Sequence, residues 1–161
     1  MLELREAVFE DLETLYDWAN DPETRKNSFN AVPIAPETHR AWVHEKLSSP
    51  NVLLLIGVDL GKPVGVIRFE QGGDTALLHF TVAPESRGRG YGTAVLTRGV
   101  SYVFKTEFAS RIRGVVKYPN SASLRCFRNA GFKHIEDSEV NGLRCAVFEI
   151  EASDLASAGK E

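Results

Sequence analysis

The sequence predicts an α+β fold in which one mixed, largely antiparallel central sheet is flanked by helices on both faces. Two patterns along the 161 residues support this prediction. Three strand-like segments with short Gly- and Pro-containing turns fill the middle of the chain, and helical segments alternate with strands after residue 90. A chain of this length suits one hydrophobic core, so we expect a single domain over residues 1–155 and a flexible tail over residues 156–161.

The chain begins with a strand-like segment around Leu4, followed by apolar residues at helical spacing. This spacing predicts a helix over residues 12–19 that Asp11 caps and Asp21-Pro22 ends. The polar stretch over residues 23–35 has no periodicity and is predicted to be irregular.

A second helix is predicted over residues 37–47, and its inward-facing residues are expected to be Ala41, Trp42 and Leu47. Three strands follow, and the short turns between them favour an antiparallel meander. These strands are predicted over residues 52–58, 64–70 and 76–82.

The second half of the chain alternates between helices and strands. Gly131 is expected to end a helix in the left-handed conformation, and Asn141-Gly142 is the strongest hairpin signal in the sequence. The predicted helices cover residues 90–105 and 121–130, and the predicted strands cover residues 112–116, 132–139 and 144–151.

The composition is typical of a globular protein, with 43% hydrophobic and 25% charged residues. No apolar stretch approaches the roughly 18 residues of a membrane span, and the N-terminus does not resemble a secretion signal. We therefore expect a cytoplasmic protein that does not bind membranes. Cys126 and Cys145 lack metal-ligand spacing, so we expect two free thiols and no metal site.

The charges are unevenly distributed although the net charge is only −3. Between Ser86 and Lys133 there are ten basic residues and one acidic residue, Glu107, so this segment is +9 and the rest of the chain is −12. Such asymmetry indicates a basic face on an acidic protein. The chain as a whole is acidic and has no interleaved aromatic and basic residues, so we do not expect nucleic acid as a partner. A compact polyanion fits better.

A glycine-rich turn, Arg87-Gly88-Arg89-Gly90-Tyr91-Gly92, joins the last strand of the meander to the next helix. Alternating glycines let the backbone direct successive N–H groups at one point, and the helix N-terminus adds further unpaired N–H groups. The turn lacks the Lys-Ser/Thr of a P-loop, and its position after a meander disfavours a dinucleotide fingerprint. It therefore predicts a phosphate-binding site of another kind.

Two segments resemble motifs of the GCN5-related N-acetyltransferase (GNAT) family. The first extends from Val82 to Gly92 and contains the Arg-x-x-Gly-x-Gly pattern that begins at Arg87. The second extends from Asn120 to Phe132 and has the Asn, the small residue and the closing Gly-Phe of the family. The predicted order of elements is similar to that of the family over essentially the whole chain.

The resemblance implies that acetyl-CoA is the cosubstrate. The diphosphate would lie on the amides of the glycine-rich turn, and the strand before it would pair its backbone with the pantetheine arm. The sequence offers three candidates for the residue that binds the 3′-phosphate, namely Arg89, Arg125 and Arg128. The expected cofactor-binding residues are Val82, Arg87, Gly88, Arg89, Gly90, Tyr91, Gly92, Thr93, Asn120, Ser123 and Phe127.

The expected reaction moves the acetyl group directly to a primary amine. The resemblance implies that a backbone N–H at the end of the central strand, from Val82 or its neighbour, polarises the thioester carbonyl. His79 is the expected general base, because an imidazole with an ordinary pKa near 6.5 can accept a proton close to neutral pH. The alternatives are an ordered water relay and His39, His44, Glu70 and Asp74.

Phe127 is a departure from the family pattern, because many members have a Tyr there that protonates the leaving thiolate. Phenylalanine has no proton to donate. Either the thiolate leaves without assistance, since a thiol of pKa near 8.5 is a good leaving group, or another side chain donates the proton. The candidate donors are Ser123, Tyr118, Tyr91 and Cys126.

The segment from Asp17 to Trp42 bears on the acceptor. It contains Trp-x-Asn-Asp-Pro-x-x-Arg from Trp18 and His-x-x-Trp from His39. This layout resembles the GNAT branch that acetylates nucleotide-linked amino sugars, and more loosely relatives that acetylate ribosomal-protein N-termini or antibiotics. Core packing is the alternative role for both tryptophans. The expected acceptor-binding residues are Arg25, Asn27, Ser28 and Trp42.

The expected acceptor is therefore a small amino sugar, with a protein N-terminus, a polyamine or an amino acid as alternatives. A non-catalytic acyl-CoA-binding module is the alternative from a different functional class, motivated by Phe127. A homodimer, paired through an exposed sheet edge, is the expectation for assembly.

Overall fold

The structure is a computed structural model that describes residues 1–158. The strands, in chain order, are β1 (Glu3–Glu6), β2 (Val52–Asp59), β3 (Lys62–Gly72), β4 (Thr75–Val82), β5 (Arg111–Lys117), β6 (Lys133–Val140) and β7 (Leu143–Glu151). The α-helices are α1 (Leu12–Ala19), α2 (Pro22–Asn27), α3 (Pro36–Ser48), α4 (Tyr91–Lys105), α5 (Ser121–Asn129) and α6 (Ala152–Ala158).

The strands form one seven-stranded sheet in the order β1-β2-β3-β4-β5-β7-β6. Within residues 1–158, β4 and β5 run parallel, while the other neighbouring pairs are antiparallel. Asn141 and Gly142 have φ of 51° and 77°, as a two-residue turn between β6 and β7 requires. The predicted fold class, meander and hairpin are confirmed.

Helices cover both faces of this sheet because the strands alternate apolar side chains between two cores. On one face, α4 packs on β3 through a cluster that includes Ile67, Phe69, Val95, Leu96 and Val100. On the other face, α1 and α3 pack on β2 through Leu15, Trp18, Val43, Leu54 and Ile56. Full burial of one such side chain contributes about 1.5–3 kcal/mol, so these two clusters hold the layers together.

Three local expectations differ from the structure. The stretch over residues 23–35, expected to be irregular, contains most of α2, because the Asp21 carboxylate accepts a hydrogen bond of 3.2 Å from the Thr24 N–H and caps that helix. In α3 the buried residues are His39 and Val43, whereas Ala41 is exposed, because the inward stripe has a spacing of four residues.

The third difference is α6, which the sequence did not indicate. Residues 156–158 of the expected tail belong to this helix, and residues 159–161 lie outside the described part of the chain. Over the described range, the structure has no helix with the length and hydropathy needed to span a bilayer.

Candidate active site

The site lies where the two parallel strands of the sheet separate. Pairing between β4 and β5 is confined to Thr75–Leu77 and Arg111–Arg113, although both strands continue beyond these residues. An open cavity of about 1120 Å³ lies at the separation, with residues 78–82 in one wall and residues 115–117 in the other. The break in the sheet therefore opens a cleft beside the backbone of β4.

The backbone of β4 offers unpaired donors and acceptors to this cleft. The Ala83 N–H donates to the Val64 carbonyl of β3 at 2.8 Å. Because antiparallel partners alternate between hydrogen-bonded and non-hydrogen-bonded pairs, the N–H groups of Leu78, Phe80 and Val82 point away from β3 and toward the cleft. The strand edge is therefore free to pair with an extended ligand. Val82, the residue expected to polarise the thioester, is one of three N–H donors in this row.

The glycine-rich turn lies at the end of the same cleft. Gly88 and Gly90 have φ of 76° and 83°, in the left-handed region that favours glycine, and α4 begins directly after them at Tyr91. Within the described chain, the backbone N–H groups of residues 88–93 donate to no backbone or side-chain acceptor. The first hydrogen bond of α4 is donated by the Ala94 N–H to the Gly90 carbonyl. Six consecutive free amides at a helix N-terminus form an anion site.

Two side-chain contacts fix this turn against the rest of the molecule. The Tyr91 hydroxyl donates to the Asp59 carboxylate at 2.6 Å, and the Arg87 guanidinium donates to Asp21 at 2.6 Å and to the Thr24 hydroxyl at 3.1 Å. The side chains of Arg87 and Tyr91 are thus already engaged. Their contribution to a ligand site is to hold the turn in place, and the Tyr91 amide is one of the free donors in it.

The second motif forms the opposite wall of the cleft. Asn120 caps α5 by accepting a hydrogen bond of 3.2 Å from the Ser123 N–H. Phe127 is 3% exposed and its ring stacks on Phe148 with centroids 5.2 Å apart, while an edge of it lies on Gly114. Phe127 therefore belongs to both the cavity wall and the core, and α5 is held in place through it.

The candidate acids for the leaving thiolate fall into two groups. The hydroxyls of Tyr118 and Tyr91 donate to Asp137 and Asp59, and these hydrogen bonds raise the pKa of both phenols. A phenol whose proton is held by a carboxylate is a poor donor to a thiolate. Ser123 and Cys126 line the cavity, which leaves them as the accessible candidates.

His79 lies on β4 with Arg68 directly opposite on β3. Burial and, after it, the charge of Arg68 lower the pKa of His79 from 6.5 to about 4. The imidazole is therefore neutral at neutral pH and has a lone pair available to accept a hydrogen bond. A base of this strength is suited to receive a hydrogen bond from a neutral amine rather than to deprotonate an ammonium group.

The lowered pKa of His79 has a consequence for stability. Between pH 6.5 and about 4, the unfolded chain binds a proton at His79 that the folded chain does not, so stability is lost as the pH falls through this window. We expect the native protein to lose about 2–3 kcal/mol more stability than the His79→Gln variant between about pH 7 and pH 4. Urea unfolding at the two pH values measures this difference. Equal losses would contradict a partly buried imidazole that stays neutral down to about pH 4.

The four residues expected to bind the acceptor also line the cavity. The donors of Arg25 are largely used within its own segment: Nε donates to Ala19 O at 2.6 Å, and the terminal nitrogens donate to Asn30 O at 3.0 Å and to the Ser28 hydroxyl at 3.1 Å. Both tryptophans border the cavity, but Trp42 is half-buried, whereas Trp18 is 5% exposed and packs in the core.

Sequence reasoning missed several cavity residues on the acceptor side. Lys117 donates to the carbonyls of Lys26 and Ser28 and so ties β5 to the segment after α2. The Arg68 guanidinium carbon lies 4.9 Å from the centre of the Trp42 ring. The available signal was the charged Arg68 within the apolar stretch over residues 63–69, but only the register of β3 against β4 places it beside His79.

Comparison with known proteins identifies the fold and its family. Residues 1–133 match the model of the acetyltransferase (GNAT) domain. Among solved structures, aminoglycoside acetyltransferase AAC(6')-Ib in complex with coenzyme A is 16% identical, with 99% of each chain covered and a TM-score of 0.85. Spermidine N-acetyltransferase from Vibrio cholerae, in complex with CoA and spermine, is 17% identical, with 96% of this chain and 98% of that chain covered and a TM-score of 0.87. No curated protein matches the chain significantly.

The chain belongs to the GNAT acetyltransferase family, as the two motifs predicted. It is an acetyl-CoA-dependent N-acetyltransferase, and the expected cosubstrate and enzyme class are confirmed. The free amides of the turn and the open edge of β4 fit this cosubstrate. The amides offer a site for the diphosphate, and the strand edge next to them can pair with the pantetheine arm. The solved structures show the likeness of fold, and they do not support the amino-sugar branch in particular.

Proposed function

We propose that the protein acetylates the primary amine of a small nucleotide-linked amino sugar that enters the cavity from the side of α2 and α3. The observation that carries this proposal is the cleft between β4 and β5, which joins the amides of residues 88–93 to a cavity whose largely apolar walls carry several polar side chains. Thr24, Asn27 and Asn30 offer polar groups for sugar hydroxyls, and the Trp42 ring offers a face for a sugar or a base.

The roles of the chain's residues follow from this placement. Acetyl-CoA supplies the acetyl thioester. The N–H groups of Val82 and its neighbours along β4 stabilise the charge on the carbonyl oxygen as the amine nitrogen bonds to the acetyl carbon and the carbon–sulfur bond breaks. His79 is neutral at neutral pH and accepts a hydrogen bond from the attacking amine. This hydrogen bond orients the lone pair of the amine nitrogen toward the acetyl carbon. The amine proton passes to water, and the thiolate leaves without a tyrosine donor at Phe127.

The charge of the cavity favours this acceptor over a polycation. The basic residues that line it are Arg25, Arg68, Arg87, Lys117 and Arg125, whereas Glu23 is its one acidic residue within residues 1–158. A polyamine or an aminoglycoside carries several positive charges, and such a surface repels it. The diphosphate of a nucleotide-linked sugar is attracted to the same surface.

Release of free coenzyme A from acetyl-CoA, followed with a thiol reagent, tests the proposal. The acceptor panel contains UDP-linked amino sugars, spermidine, kanamycin, amino acids and N-terminal peptides. We expect turnover on a UDP-linked amino sugar. Turnover on peptides or polyamines alone would contradict the acceptor, and coenzyme A binding without turnover on any acceptor would favour a non-catalytic module.

Replacing His79 is expected to slow transfer without weakening the cosubstrate. His79→Ala removes the hydrogen-bond acceptor beside the amine, and we expect turnover to fall at least about tenfold while the Kd of acetyl-CoA is unchanged. His79→Gln keeps an acceptor and should retain more of the activity. Steady-state kinetics and calorimetry measure the two effects, and unchanged turnover in His79→Ala would remove this residue from the mechanism.

A further inference from the structure

Arg68 is a cation in the wall of the acceptor cavity with an unused donor. Its side chain is 22% exposed, and its buried Nε has no hydrogen-bond partner among the described residues. The nearest carboxylate oxygen, from Glu70, is 3.7 Å from this Nε, beyond hydrogen-bond distance. Such a group costs free energy unless a partner is supplied.

Glu70 already forms an ion pair with another cation. Its carboxylate is 2.5 Å from the Lys46 ammonium group on α3. One carboxylate therefore faces two positive charges, and His79 beside them is neutral at neutral pH. The cluster formed by Lys46, Arg68, Glu70 and His79 has a net charge of about +1 under these conditions.

The other cations of the cavity differ from Arg68 in this respect. Arg87 is paired with Asp21, and the donors of Lys117 and Arg25 are used by oxygens of their neighbours. Arg125 lies on α5, on the wall that faces the glycine-rich turn. Among the described cations on the acceptor side, Arg68 is thus the one whose N–H groups make no hydrogen bond, and the Trp42 ring 4.9 Å from its guanidinium carbon holds it in place.

We propose that Arg68 is a specificity-determining residue that binds an anionic group, a phosphate or a carboxylate, carried by the acceptor. A guanidinium offers two parallel N–H donors that match either anion, and the partly buried position strengthens the contact. The same unneutralised charge discriminates against polycationic acceptors. This inference rests on the proposed N-acetyltransferase function and adds the chemistry by which the acceptor is selected.

Matched acceptor pairs test the inference and separate the two sources of the anion. The phosphate pair is a UDP-linked amino sugar and the methyl glycoside of the same sugar, and the carboxylate pair is alanine and alaninamide, of which only alanine has a carboxylate. In at least one pair, we expect kcat/KM to be at least about thirtyfold higher for the anionic member, the size expected for a charge-assisted hydrogen bond. Arg68→Gln should abolish that preference and leave the KM of acetyl-CoA unchanged.

Two further variants serve as controls. Arg98→Gln removes one positive charge from an exposed position on α4 outside the cavity, and it should keep the preference. Arg68→Lys keeps the positive charge but lacks the two parallel N–H donors of a guanidinium, so it should keep part of the preference for the anionic acceptor. Arg68→Gln leaves the Lys46–Glu70 pair balanced, so we expect it to fold, which circular dichroism checks. Equal kcat/KM within each pair, or equal slowing of both members by Arg68→Gln, would overturn the inference.

A binding measurement distinguishes failure of this inference from failure of the proposed function. In a Trp18→Phe background with saturating coenzyme A, inorganic pyrophosphate is titrated while the fluorescence of Trp42 is recorded. We expect a saturable change that is lost in Arg68→Gln. The same response in both proteins would overturn the inference even if acetyl transfer occurs, whereas loss in the variant supports it even if no tested acceptor is turned over.

Discussion

The double substitution Gly88→Ala/Gly90→Ala will raise the dissociation constant of coenzyme A about a hundredfold. Both residues have left-handed backbones, with φ of 76° and 83°, and a left-handed conformation costs a residue with a side chain roughly 1–2 kcal/mol. No atom of the described residues lies within 4 Å of a Cβ built at either position, so the free turn can relax to another conformation. Binding must then restore the original turn, because the directions of the six amides depend on these two left-handed backbones.

A matched pair of glycines elsewhere provides the control. Gly61 and Gly73, in the turns before β3 and β4, have φ of 77° and 68°, and within residues 1–158 no atom lies within 4 Å of a Cβ built there. Replacing both with alanine introduces the same backbone strain away from the cleft. Calorimetric titration with coenzyme A should give an unchanged Kd for this control. A change of less than about threefold in the Gly88→Ala/Gly90→Ala protein would contradict the phosphate site.

Gly114→Ala is expected to have the largest effect on stability, a loss of about 3 kcal/mol. A Cβ at this position of β5 would lie 2.4 and 2.5 Å from two ring atoms of Phe127. The ring cannot move away freely, because it packs against Phe132 and Phe148 with centroids 4.9 and 5.2 Å apart. Moving it would displace α5, so we also expect weaker binding of coenzyme A. Urea unfolding and calorimetry measure the two losses.

A second substitution tests this explanation. Phe127→Leu removes the ring that collides with the new methyl group, so Gly114→Ala should cost clearly less in that background than in the native protein. The thermodynamic cycle of the two single variants and the double variant gives the coupling. If Gly114→Ala costs the same in both backgrounds, the contact between Gly114 and Phe127 is not the cause.

Much of the fold could be predicted from the sequence because its signals are local. The three strands of the meander were placed to within two residues, since apolar alternation and short turns act over a few positions. Gly131, with φ of 90°, ends α5 as expected. α2 was missed because Asp21-Pro22, which ends α1, also begins α2: the same carboxylate that marks a stop caps the next helix.

In the candidate site, too, local features could be predicted from the sequence and long-range contacts could not. The free amides of residues 88–93 could be anticipated, because glycine spacing and a helix start are features of one continuous segment. The Arg68 cluster could not be predicted, since it combines α3, β3 and β4 through a strand register and an excess of one charge. The pKa of His79 was also out of reach, because burial and the charge of Arg68 set it.

Amide chemical shifts measured by nuclear magnetic resonance test the central claim most directly, with coenzyme A and then pantetheine added to the isotope-labelled protein. The account predicts that coenzyme A shifts the amide protons of residues 88–93 downfield together with those of Leu78, Phe80 and Val82. Pantetheine, which has no diphosphate, should shift the β4 group alone. Unchanged signals from residues 88–93 at saturating coenzyme A would contradict the account.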